Sequence, residues 1–330
     1  MRLRAAVAIA AGLAAPVWAN DTTATIGVGG LEFVQNHNVR MVSEDLYLSM
    51  EEVRVVYRFE NLTDSDQSVM VAFPMPDMQS DFYSDQGYPT DDPDNIFGFS
   101  TLFDGEPVDA QLHQSAFVLG VDRTKDLTRL DIPLTPQAIG TDAALNALDA
   151  DDLAHLEHIG AVVNWGGEGD NAYYYPAWTL KSAYVWDAVF PAGETVTVEH
   201  RYTPGLGGTV ATTFLDDDED YSTRGAYETR YCLDDSFVAA VERNLTDPND
   251  LWSAPYTETW LEYVLSSGAN WANSIGTFRL VVDKGDPDNL VSFCGEGVTK
   301  TGPTTFEMVH EDFVPWEDIE VLFLVRRPDE

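Results

Sequence analysis

The chain has 330 residues, 44% of them hydrophobic and 12% aromatic, which is enough for one large or two ordinary cores and excludes a disordered chain. Eighteen basic residues face 56 acidic ones, for a formal charge of −38 at pH 7. So acidic a surface repels nucleic acid and anionic membranes, and neither is an expected partner.

The first element is a leader. Residues 1–19 read MRLRAAVAIAAGLAAPVWA: two arginines, a short apolar run, then a small-x-small site. This is a Sec-type signal peptide cut after Ala19, so the mature chain is expected in the periplasm or secreted. Loss of Arg2 and Arg4, and of no acid, moves the formal charge from −38 to −40. No cysteine follows the cut, which argues against a lipid anchor. No later run of 18 apolar residues occurs, so no membrane span is expected. The acids are spread along the whole chain, a pattern that favours solubility in a salty milieu over a dedicated cation site.

Next comes a strand. Val53, Val55, Tyr57 and Phe59 alternate with Arg54, Arg58 and Glu60. NLTDSDQ reads as its turn and SVMVAFPMP as the return strand, stopped by Pro74 and Pro76. FGFSTLFDGEPVDAQLH reads as a hairpin turning at Asp104-Gly105. At Pro133 the pattern changes. LTPQAIGTDAALNALDADDLAHLEHIG predicts two short helices inserted at about 134–160. Thr135 and Pro136 would start the first, Asp149 or Asp151 would cap the second, and Gly160 would end it.

Strands return from Tyr173. YVWDAVFPAGETVTVEHRYTP reads as a hairpin turning at Pro191-Ala192-Gly193. LGGTVATTFLDDDEDYS reads as an extended linker and acidic loop, and SFVAAVERNL as a short helix. WLEYVLSSGANW, GTFRLVVDKG, NLVSFCGEG, TTFEMVHEDF and IEVLFLV read as strands separated by turns. DKGDPDNL is turn chemistry between two of them, and lacks the D-x-[DN]-x-[DN]-G order of a calcium loop. The expected fold is mainly β: two β-sandwich-like domains, 20–205 and 206–330, with a small α-helical insertion in the first and the boundary near 205–220.

Cys232 and Cys294 are the only cysteines and lie 62 positions apart. In an exported chain that predicts one disulfide, worth about 4 kcal/mol by loop entropy.

Several of these stretches are familiar together. SEDLYLSMEEVRVVYRFEN, VAFPMPD, FPAGETVTVEHRYTP, YCLDDSF and IGTFRLVVDKGDPDNLVSFCG, in that order, resemble a family of exported bacterial proteins catalogued as a domain of unknown function, number 4424. The likeness covers nearly the whole mature chain. It implies an exported, mostly β protein and brings no activity, cofactor or catalytic residue. The first half also resembles, more weakly, the vault and inter-alpha-trypsin domain, a β-sandwich module, without the von Willebrand A partner or its D-x-S-x-S motif.

Candidate chemistry is sparse. Asp151, His155 and His158 could share a helix face as zinc ligands, but HExxH is absent and a solvated face is the simpler reading. His200 and His310 fall on apolar strand faces and read as satisfied core histidines. Asp216, Asp218 and Asp220 could hold a hard cation weakly. Five successive acids cannot converge on one centre along an extended chain, so a solvated loop is preferred. No cofactor is expected, weak calcium binding aside. Nucleophile-elbow, Walker and dinucleotide motifs are missing. Trp165, Tyr174 and Trp178, flanked by Glu168 and Asp170, could line a sugar or peptide groove, against the alternative that these rings are core under the insertion.

The leading expectation is a non-enzymatic periplasmic or secreted binding or accessory module for a small ligand or an envelope partner. The rivals are a hydrolase with an unmarked acidic, cation-assisted site and an envelope structural or assembly module. A hydrolase should show two close carboxylates in one pocket, one with a raised pKa.

Overall fold

Val53, Val55, Tyr57 and Phe59 are fully buried, the alternate positions of strand Val53–Asn61. The same two-residue period repeats along Val39–Leu48, Thr195–Tyr202 and Ile275–Asp283. The protein is mainly β. This computed structural model describes residues 20–27, 30–80, 85–167, 173–215, 223–247, 250 and 253–328.

Among the described residues the strands form an eight-stranded, a seven-stranded, a five-stranded and a two-stranded sheet. The eight-stranded sheet runs across the molecule. It contains a parallel pair, Val39–Leu48 with Ile275–Asp283. Strands from either side of residues 205–220 therefore share one sheet. Its inner face supplies Tyr57, Phe59, Val198, Phe278 and Leu280 to the main core. The seven-stranded sheet adds Val71, Phe73, Tyr184, Trp186 and Phe190, and the five-stranded sheet adds Leu261, Tyr263, Val321 and Phe323. A second core lies on the other face of the five-stranded sheet, where helices Arg224–Tyr231 and Asp235–Glu242 bury Tyr231, Val238 and Val241 against Tyr256, Leu322 and Leu324.

Three connections that read as hairpins are not. Val53–Asn61 belongs to the eight-stranded sheet, and its return strand Gln67–Pro74 to the seven-stranded one. Thr179–Phe190 and Thr195–Tyr202 cross between the same two sheets. Ile275–Asp283 and Leu290–Phe293 cross from the eight- to the five-stranded sheet. Alternation says which face a strand buries, not which sheet it joins. The first two crossings brace each other: Asn61 Nδ2 donates to the Phe190 carbonyl at 2.9 Å, and the Ala192 amide to Asp66 at 3.0 Å. In the third, the ammonium of Lys284 donates to the carbonyls of Pro287 (2.6 Å) and Asn289. A lysine of the loop itself thus occupies the carbonyl cradle that a cation could have used.

The Asp104-Gly105 turn forms as expected, with φ of 49° and 81°, between Ser100–Phe103 and Glu106–Val108. The inserted region lies between paired strands Gln111–Val118 and Thr179–Phe190, a wider stretch than 134–160. It holds an additional helix, Thr124–Thr128. The next helix starts at Ile139 rather than at Pro136, because Gln137 sits at φ +61°, a left-handed conformation that a helix cannot contain. Helix Ala150–His158 starts as read: Asp149 accepts the amides of Asp151 and Asp152 at 3.0 and 2.9 Å, and Gly160 at φ +74° follows its end.

Candidate functional site

A cleft opens where the five-stranded sheet meets the end of the seven-stranded one. Strand Tyr256–Tyr263 has a period of two, so Trp260 and Glu262 point outward while Leu261 and Tyr263 point into the main core. Gly207-Gly208 pairs alongside this strand, opposite Trp260 and Thr259. A Cβ at Gly207 would lie 3.0 Å from the Trp260 ring, and one at Gly208 would lie 2.8 Å from the Glu258 carbonyl oxygen. Only glycine permits this approach. The opposite wall is Pro76–Ser80, pinned by Met75 N–H to the Ser182 carbonyl (2.9 Å) and by pairing of Met78-Gln79 with Thr179-Leu180.

Arg230 closes the third side. It lies in the last turn of helix Arg224–Tyr231, ion-pairs with Glu320, and lies 3.9 Å from Glu262. The Cys232–Cys294 disulfide, with an S–S distance of 2.05 Å, follows it directly. Ser292 Oγ donates to the Tyr231 carbonyl at 2.8 Å. The disulfide and this bond hold the helix end against strand Leu290–Phe293, and so hold Arg230 over the cleft. The enclosed volume is about 390 Å³, within the range of small-ligand sites.

Asp77 forms the rim and faces two ways. Its carboxylate pairs with Lys181, whose ammonium is 5.7 Å from the Phe117 ring. Beyond it lies a second hollow of about 350 Å³, walled by Leu31, Phe33, His113, Phe117 and Lys181. Burial raises the pKa of both Asp77 and Glu262. Lys181 opposes the rise at Asp77 and Arg230 opposes it at Glu262, while Asp318 reinforces both. The two carboxylates are thus disfavoured as anions and would gain from one more positive charge.

Four polar atoms on these linings are buried and have no hydrogen-bond partner among the described residues. Ser80 Oγ and Trp260 Nε1 belong to the first hollow, Gln114 Nε2 and Ser182 Oγ to the second. Buried polar atoms are rarely left unpaired.

The residues singled out from sequence lie elsewhere. Trp178 is fully buried in the core of the insertion, its indole N–H donating to the Leu134 carbonyl at 2.8 Å. Tyr174 packs half-buried on the same core, and Trp165 is 49% exposed on the hairpin Val162–Gly166 with Tyr173–Pro176. The structure does not bring these three onto the Asp77 cleft. Glu168 and Asp170, and the cation candidates Asp216, Asp218 and Asp220, lie outside the described residues. His155 faces Asp126 at 3.5 Å, and no group of three or more metal-ligating side chains forms among the described residues. The cleft residues carried a weak sequence signal: WLE places Trp260 and Glu262 on one strand face, and Asp77 follows two prolines.

No curated protein matches the chain. A crystal structure from Legionella pneumophila, of a "putative nutrient binding protein", is similar over 93% of this chain and 70% of that one, at 16% identity and a TM-score of 0.48. At that level it carries no statement about ligand or function. The model described as a domain of unknown function (DUF4424) matches residues 19–322, and the chain belongs to that family.

Proposed function

We propose that the protein is an exported binding module and that the Asp77 cleft seats a small ligand carrying an ammonium group. The observation that carries this reading is a hollow of about 390 Å³ lined together by Asp77, Glu262 and Trp260, with both carboxylates disfavoured as anions by burial. An ammonium would neutralise the two carboxylates and lie against the Trp260 indole, whose π face attracts cations. Export is supported by the leader pattern and by the disulfide, which persists in oxidising compartments.

A second reading, acid-assisted hydrolysis, has one observation in its favour: two half-buried carboxylates share a cleft. Acid–base pairs need their pKa values pushed apart, whereas Asp77 and Glu262 are both raised, by the same cause, and each faces a base. Binding is the better account.

Isothermal titration of the processed protein with lysine, arginine and putrescine, and with glucose as an uncharged control, tests it. At least one amine should bind with Kd below about 1 mM, and Glu262→Gln should weaken it about tenfold or more. Absence of binding by all three amines, or binding indifferent to Glu262→Gln, would overturn the assignment.

A further inference from the structure

The first four residues after the leader pattern are polar, and all four are buried: Asn20, Asp21 and Thr22 fully, Thr23 at 3% exposure. Chain ends are ordinarily solvated. Here the end enters the junction of all three large sheets. Thr22 pairs with Ala72 of the seven-stranded sheet. Asn20 meets Glu44 and Tyr57 of the eight-stranded sheet and Tyr263 of the five-stranded one. Its backbone N–H donates to Ser267 Oγ, and Ser267 Oγ–H donates back to the Asn20 carbonyl. Asp21 meets His200 at 3.0 Å, and its carbonyl accepts from the Trp271 indole. Thr22 Oγ1 accepts from Asn270 at 2.9 Å.

This socket lacks a charge. Glu44 is 1% exposed, and its carboxylate is held by Asn20 Nδ2 at 2.8 Å and by the Tyr263 hydroxyl at 3.4 Å. The groups facing it are Asn20, Tyr57, Tyr263 and the carboxylate of Asp21, and none of these is cationic. Asp21 has only the His200 imidazole, and its second oxygen has no partner among the described residues. A buried carboxylate surrounded by neutral donors is costly. Yet the site is fully built, from residues far apart along the chain.

We propose that the socket is a binding site for the chain's own processed N-terminus: cleavage at Ala19–Asn20 creates an α-ammonium at Asn20 that becomes the counter-charge of Glu44. The hydrolysis consumes one water. The Ala19 carbonyl gains the hydroxyl and leaves as a carboxylate. The Asn20 nitrogen gains the hydrogen, then takes a proton from solvent, as an α-amine does near neutral pH. A leader peptidase supplies the catalysis. The nitrogen that offered one N–H to Ser267 now offers three, and it sits on the residue whose side chain already touches Glu44. Before cleavage the same nitrogen is a neutral amide and Glu44 has no cation. The leader-bearing precursor is therefore a weaker fold, and removal of the leader locks it. The inference rests on the leader reading and not on the cleft.

Two measurements on the exported, disulfide-bonded protein decide the matter. The first is mass spectrometry of the N-terminus, followed by acetylation of the α-amine with an N-hydroxysuccinimide ester at pH 7.5, native against denatured. Asn20 should be the first residue, and its amine should react at least about tenfold more slowly in the native protein. A different first residue, or equal reactivity, overturns the proposal. The second is the Tm of Glu44→Gln in two backgrounds, the processed chain and a chain that retains residues 1–19. The substitution should lower Tm in the processed chain, where it removes an ion pair, and raise it in the unprocessed chain, where it removes a buried acid that has no cation beside it. A shift of the same sign in both would also overturn the proposal. The acetylation result stands even if the unprocessed chain fails to fold.

Discussion

His200 Nε2 stands 3.0 Å from Asp21 Oδ1, and neither side chain has any exposed surface. The imidazole is ringed by Tyr57, Phe73, Phe99 and Trp186, with centroids 4.9 to 5.7 Å away. His200→Leu should therefore cost about 3–5 kcal/mol in denaturant unfolding, most of it from leaving Asp21 buried and alone. Adding Asp21→Asn should recover part of that loss. A double variant no more stable than the single one would show that the histidine acts through packing alone.

The pH dependence of stability has a definite sign. Burial raises the pKa of Asp21, Glu44, Asp77, Glu258 and Glu262, and pushes Glu44 up to about 8 from its ordinary 4.5. Below pH 4.5 Glu44 is protonated in both states. Between 4.5 and about 8 the unfolded chain releases the proton while the unprocessed fold keeps it, so stability falls as pH rises, by at most about 1.4 kcal/mol per unit. Thermal melts of the unprocessed chain from pH 5 to 8 should show this slope, and Glu44→Gln should flatten it. In the processed chain the α-ammonium should reduce the slope.

Period-two alternation made the strands legible, Asp104-Gly105 marked a turn between two of them, and Asp149 and Gly160 marked the ends of helix Ala150–His158. Partner choice was not legible. Strand Thr179–Phe190 buries Ser182 through Trp186 without a break, so its pattern does not say which neighbours it takes. The socket was equally hidden. Asn20 and Asp21 carry no sequence signal, and Glu44 is one acid among 56; contacts that span 179 to 250 residues, from Asn20 to Ser267 and from Asp21 to His200 and Trp271, help bury the chain there. The aromatic run Trp165–Trp186 drew attention by composition, yet Trp178 fills a core, while the cleft is lined by Trp260 from a different part of the chain.

Trp178→Ala and Trp165→Ala should separate. The first removes a fully buried ring and should cost about 3–5 kcal/mol, the second well under 1 kcal/mol. Equal losses in chemical denaturation would mean that Trp165 is as integral to the insertion as Trp178.

Salt should stabilise the protein. With 56 acids against 18 bases, self-repulsion opposes the compact state. Tm should rise from low salt to about 0.5 M sodium chloride, where the Debye length is below about 5 Å. A flat or falling trend would contradict this. A larger rise with calcium than with sodium at equal ionic strength would reveal a specific cation site.

Replacing both cysteines with serine should cost up to about 4 kcal/mol and release the end of helix Arg224–Tyr231. Amine binding should weaken in the same variant, because Arg230 loses its fixed place beside Glu262 and Glu320. Unchanged affinity would separate the disulfide from the cleft.

The most direct measurement follows the indole N–H resonance of Trp260 in proton–nitrogen correlation spectra, assigned by its loss in Trp260→Phe. On adding lysine, arginine or putrescine, this resonance should shift and saturate with at least one amine, while glucose leaves it in place and the Trp165 resonance stays still. A spectrum in which Trp260 moves with none of the amines, or in which only Trp165 moves, would contradict the cleft as the ligand seat.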